Sequence, residues 1–289
     1  MVWGAVAATV LCGACATSAR SAGRSSAAPP VSSAGGASRT LHYTANGVFS
    51  GSRFTPASLG FDVVDVESTW DAIHLPAGTK GMVWLGLCDG ADAAFVRAVT
   101  RYVGNPGVFG YYLFDDPDPS GRGASGCTPA HLKEESDWIH ADDPGRKTFV
   151  LLMNLAGSAD PSYQGTANPA NTGIDLYGLD PYPCRTELAG CEYSYITKAV
   201  SAAEAWGIPA AQLVPVFQTF GGGAWPDDGG GSYALPTAAQ EMQILATWDS
   251  ALPHPVLDYA YSWGSQRGDT ALSAAPSLQP VLARHNAAR

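Results

Sequence analysis

Gly107-Val-Phe-Gly-Tyr-Tyr-Leu-Phe-Asp-Asp-Pro117 and Gly173-Ile-Asp-Leu-Tyr-Gly-Leu-Asp-Pro-Tyr-Pro183 share one plan: a glycine, a run rich in aromatic and aliphatic residues, then aspartate followed by proline. Short apolar runs bounded by turn formers read as buried strands. Proline lacks a ladder donor and biases the residue before it toward extended backbone, so Asp116 and Asp180 are each expected at the carboxyl end of a strand. Asp-Pro is also an ordinary turn starter. Two such exits in one chain give the pairing its interest.

Working outward, further strand signals fall at 40–43, 61–66, 81–87, 148–153, 213–219 and 257–263, beside 108–114 and 174–179 from the two quoted stretches. Helical periodicity falls at 91–103, 129–140, 194–206, 237–252 and 277–286, with shorter patterns near Pro56 and Thr69. Eight strand–helix units in roughly 250 residues predict a single-domain α/β fold, the (β/α)8 TIM barrel. An open doubly wound sheet would carry a glycine-rich phosphate fingerprint after its first strand, and none follows that strand here.

A barrel of this kind places its functional groups at the carboxyl ends of its strands. The candidate residues are therefore Asp65 and Glu67 after strand two, Asp115 and Asp116 after strand four, Asn154 after strand five, Asp180 and Tyr182 after strand six, Gln218 at the end of strand seven, and Trp263 and Gln266 after strand eight. Trp225 joins them from the loop Gly221-Gly-Gly-Ala-Trp-Pro-Asp-Asp-Gly-Gly-Gly-Ser232, whose glycines suit a lid. Carboxylates and amides bracket hydroxyl groups, and indole and phenol faces stack on sugar rings, so the set points to carbohydrate.

Asp115-Asp116-Pro117 resembles the Asn-Glu-Pro or Asp-Glu-Pro ending that carries the acid/base in many barrel glycoside hydrolases. The resemblance implies a glycosidase with Asp116 as general acid, kept protonated by Asp115 or by burial. Strand seven departs from the large retaining clan of such barrels, because Gln218 stands where a nucleophilic glutamate is usual. The second carboxylate is then Asp180, the base that activates water. Neighbouring strands lie about 4.8 Å apart, so ends two strands apart are separated by roughly 9–10 Å, which leans toward inversion. A substrate-assisted route, as in chitinase-like barrels, stays open, with Asp180 or Tyr182 orienting an acetamido group.

Composition narrows the remaining classes. The 289-residue chain carries 16 basic and 26 acidic residues, a formal charge of −10, and so offers no footprint for nucleic acid and no polybasic membrane patch. Residues 1–19 are expected to be a signal peptide or lipoprotein leader, with Leu11-Cys-Gly-Ala-Cys15 similar to a lipobox and Cys15 its lipidation site; residues 20–39 read as a Ser/Ala/Gly/Pro linker and 40–289 as the barrel. Four cysteines remain, and bonds Cys88–Cys127 and Cys184–Cys191 are expected in an exported, extracellular or membrane-anchored protein. Among those four no Cys-x-x-Cys occurs, and the histidines are scattered, so no metal and no cofactor is expected. A Gly-x-Ser-x-Gly elbow is missing as well. The expected partner is a polysaccharide or oligosaccharide met by a monomer; the alternative is a surface lipoprotein that grips glycan without cutting it.

Overall fold

The computed structural model describes residues 39–46, 49–50, 53–117, 126–152, 166–223, 225–227 and 230–288. Cys15, Asn154, the leader and nearly all of the linker lie outside the described residues. Eight parallel strands follow one another around a closed barrel: β1 (Leu41–Thr44), β2 (Val63–Val66), β3 (Lys80–Trp84), β4 (Val108–Asp115), β5 (Lys147–Leu151), β6 (Leu176–Leu179), β7 (Leu213–Gln218) and β8 (Leu257–Tyr261). The ring closes where β1 pairs with β8, from Leu41 against Leu257 to Thr44 against Ala260. Its other edge pairs with β2. This is the (β/α)8 barrel that the strand–helix alternation predicts, in one compact unit over residues 37–289.

Alternating residues sort into two cores. Tyr43, Val63, Met82, Tyr112, Phe149, Leu176, Val216 and Tyr259 fill the barrel. Val64, Val83, Tyr111, Leu113, Val150, Tyr177 and Phe217 face the surrounding helices. Both layers are nearly dry, because a parallel sheet covered on the outside and closed on itself buries both faces. The interior is aromatic as well as aliphatic: Tyr43 stacks on Tyr259 at 4.2 Å, and Phe149 meets Tyr112 edge-on at 4.7 Å.

The helices are α1 (Thr69–Ile73), α2 (Ala93–Thr100), α3 (Pro129–Asp142), α4 (Pro169–Thr172), α5 (Ser194–Ala205), α6 (Ala238–Ala251) and α7 (Gln279–Ala287). Their starts are written locally. Ser68 and Asp71 form a capping box, as do Thr237 and Gln240, while Asp92 accepts from Ala94 and Phe95 and Thr128 accepts from His131. Each cap satisfies backbone donors that the first helical turn leaves unpaired.

At the barrel base, His42 Nδ1 and His285 Nε2 lie 2.8 and 3.0 Å from the two oxygens of Asp258, joining β1, β8 and α7. Those two imidazoles hold the Asp258 carboxyl below its ordinary range despite full burial. Among the described residues this is the one trio of side chains close enough to share an ion; both Asp258 oxygens are taken up by the imidazoles, while His42 Nε2 has no hydrogen-bond partner among the described residues. The same base receives the described ends of the barrel unit: the Thr40 hydroxyl donates to the Pro255 carbonyl and the Asn286 amide to the Leu59 carbonyl.

Candidate active site

The opposite, carboxyl end of the strands opens into a cavity of about 430 Å³. Asp65 and Glu67 enter it from the end of β2, Trp84 from β3, Tyr112 and Asp115 from β4, and Tyr259 and Tyr261 from β8. Asn46, Trp225, Gln266 and Arg267 complete the rim.

A register slip decides which aspartate of β4 looks inward. Regular alternation from Tyr112 would bring Phe114 and Asp116 to the cavity side. The pairing with β5 instead slips between Tyr112 and Phe114, so Phe114 packs outward with Leu113, and Asp115 comes round to the cavity. Asp115 then accepts from the hydroxyl of Tyr112 at 2.9 Å. Asp116 is not extended, as the following proline predicts, but sits at φ +51°, a left-handed conformation that Asp tolerates better than most residues. It does not line the cavity.

Asp180 lies behind this wall, 1% exposed. Burial raises its carboxyl well above the ordinary range, and the negative charges of Asp115 and Asp116 raise it further, against a hydrogen bond with Tyr182. These effects favour the protonated form of Asp180, which runs against its expected role as a water-activating base. Asp115 is also raised, by surrounding protein, while the Tyr112 hydroxyl pulls it back. Across the cavity, the hydroxyl of Tyr43 and the backbone N–H of Asn46 both donate to Asp65. Burial lifts Asp65 to about 6, with Glu67 adding to the rise.

Three further expectations are corrected by packing. Gln218 is fully buried and spends its amide on the backbone: Oε1 accepts from Cys184 N–H at 2.8 Å, while Nε2 donates to the carbonyls of Cys184 and Ala234 at 2.8 and 3.0 Å. It ties down the loop after β6 and has no group left for a sugar. Trp263 turns away after β8 into the layer between barrel and helices, near Leu272 and Ala275. Tyr182 is buried behind the cavity, edge-on to Phe220 and Tyr233 and stacked on Tyr261 at 6.2 Å, so it backs the wall without forming it.

Trp225 and Gln266 do reach the rim. The Arg267 guanidinium lies 5.2 Å above the Trp225 ring, and Phe220 supports that indole from below at 4.9 Å. Gln266 accepts from the Tyr261 hydroxyl at 2.6 Å and donates to Asn46 at 3.1 Å, linking the β8 loop to β1. Disulfides Cys88–Cys127 and Cys184–Cys191 hold the loops after β3, β4 and β6. Sequence reasoning missed Trp84, Tyr112, Tyr259 and Tyr261. The alternation Leu257, Tyr259, Tyr261 was the available signal for the last two, whereas Trp84 lay in plain view at a strand end.

The architecture defines a fold class, the (β/α)8 barrel. Among solved structures, the chain is similar to a family 18 chitinase from Cycas revoluta, at a TM-score of 0.54 and 14% identity over 86% of this chain and 99% of that one. It is similar to a fungal endo-β-N-acetylglucosaminidase of glycosyl hydrolase family 18, at 0.53 and 15% over 85% and 96%. A chitinase from Rhizomucor miehei matches at 0.53 and 13% over 85% and 99%. No family model and no curated protein matches the chain. At these identities the likeness is one of fold.

Proposed function

We propose that the chain is an exported glycoside hydrolase that cleaves a polysaccharide in the cavity at the barrel mouth. The observation that carries this reading is one cavity lined by carboxylates from the ends of β2 and β4 together with tyrosine and tryptophan side chains. Asp115, opening on the cavity with a raised carboxyl, is the proton donor to the glycosidic oxygen. Asp65, ionised above about 6, polarises the attacking water. Strand ends two places apart are separated by roughly 9–10 Å, the range of an inverting pair once short side chains reach inward. Asp180 acts as a neutral positioning residue behind Asp115. Two disulfides and the apolar N-terminal stretch support export, with Cys15 the anchoring site to be tested by fatty-acid labelling.

The glycan-binding alternative draws on a specific observation too: Asp180 is sealed from the cavity, so the expected Asp116–Asp180 pair does not face a common substrate. Product release from a polysaccharide panel, followed by mass spectrometry and anomeric NMR, separates the two. The family 18 likeness puts amino-sugar polymers first on that panel. Asp115→Asn and Asp65→Asn are each expected to lower kcat by about 10²–10⁴. The rate of the parent rises as pH passes about 6, where Asp65 ionises. Binding without cleavage in the parent overturns the catalytic reading.

A further inference from the structure

The cavity is one-sided in charge. Asp65, Glu67 and Asp115 line it, Asp180 lies close enough to feel the charges of Asp115 and Asp116, and Arg267 is the lone basic residue among the described lining. Arg267 is itself engaged over the face of Trp225. The carboxyls raise one another: Glu67 acts on Asp65, and Asp115 and Asp116 act on Asp180. Such crowding is relieved by a cation, which would favour the ionised form of every one of them. The walls suit the same ligand. Trp84, 40% exposed and edge-on to Tyr112 at 4.6 Å, offers an indole face suited both to the apolar side of a pyranose and to an ammonium group. The chain's charge of −10 adds long-range attraction for a polycation.

We propose that the cavity recognises an amino sugar with a free, protonated amine, so that the polymer taken is a de-N-acetylated, cationic glycan. Glu67, exposed at the end of β2 and lining the cavity, is the principal contact for the ammonium. This inference rests on the sugar-site reading above and names its substrate class.

The test is calorimetric titration of the full chain with glucosamine hexamer, N-acetylglucosamine hexamer, cellohexaose and hexalysine, repeated with Glu67→Gln. The expected result is that glucosamine hexamer binds at least about tenfold tighter than each of the others, the scale of one well-placed charge-assisted contact. Glu67→Gln is expected to lower affinity for glucosamine hexamer by about fivefold or more and to shrink its advantage over the acetylated hexamer, with an unchanged melting temperature. Equal or tighter binding of the acetylated hexamer or of cellohexaose overturns the amine preference while leaving the glycosidase reading in place. Hexalysine binding as tightly as glucosamine hexamer overturns it also, because charge alone would then suffice. Failure of all three sugars to bind removes both readings together.

Discussion

Asparagine at position 180 closely imitates the residue it replaces, because burial above all raises the Asp180 carboxyl well above its ordinary range and favours the neutral form. Asp180→Asn should therefore keep cleavage within about tenfold of the parent and leave the pH profile in place, whereas Asp115→Asn removes the proton donor itself. A pH–rate series on both variants checks this, and loss of all activity in Asp180→Asn would restore that residue as the working base. The contrast was not legible in the sequence. Asp115, Asp116 and Asp180 all stood out there as strand-end carboxylates, but their protonation depends on burial and on a register slip between Tyr112 and Phe114 that no local residue signals. Gln218 shows the same limit from the other side. An amide at a strand end is equally suited to a hydroxyl or a backbone loop, and the packing of Cys184 and Ala234 around it chose the loop.

At the scale of elements, helix α6 carries a buried acid as part of its inner face. Glu241 is fully buried, neither oxygen has a hydrogen-bond partner among the described residues, and burial lifts it from near 4.5 to about 8. A carboxyl raised on folding stabilises the fold below its unfolded value and loses that contribution as pH climbs through the folded one. Glu241→Gln should accordingly match the parent near pH 4.5 and exceed it at pH 9 by roughly 2–5 kcal/mol, because displacing a proton equilibrium tenfold takes about 1.4 kcal/mol. Urea unfolding at the two pH values reads this directly; an equal change at both would trace the effect to packing. The strands themselves were readable in advance because a barrel strand is apolar on both faces and ends at a turn former. Helix starts were similarly marked, as at Thr128-Pro129 and Thr237. Element edges were less so: the expected strand 257–263 stops at Tyr261, and the two residues beyond it carry Trp263 into a different layer.

On the scale of the whole molecule, β1 is the closing stave of the barrel, paired on one side with β8 and on the other with β2. A chain beginning at Arg39 should melt cooperatively within a few degrees of the full one. A chain beginning at Asn46 loses Tyr43 from the core and leaves two strand edges unpaired, so it should show no cooperative transition and should aggregate. Circular dichroism and size-exclusion chromatography distinguish these outcomes, and an intact transition in the shorter chain would mean that β1 is dispensable. The eightfold alternation made this architecture legible from sequence, since closure needs every strand and the count came out at eight. Both described ends of the barrel unit also meet at its base, Thr40 beside Pro255 and Asn286 beside Leu59, while the acidic cavity opens at the other end. Whatever is joined ahead of Arg39 or behind Ala288 thus takes hold of the molecule by its closed floor. A bead or a tag added at either point would be tethered on the side of the barrel away from the cavity.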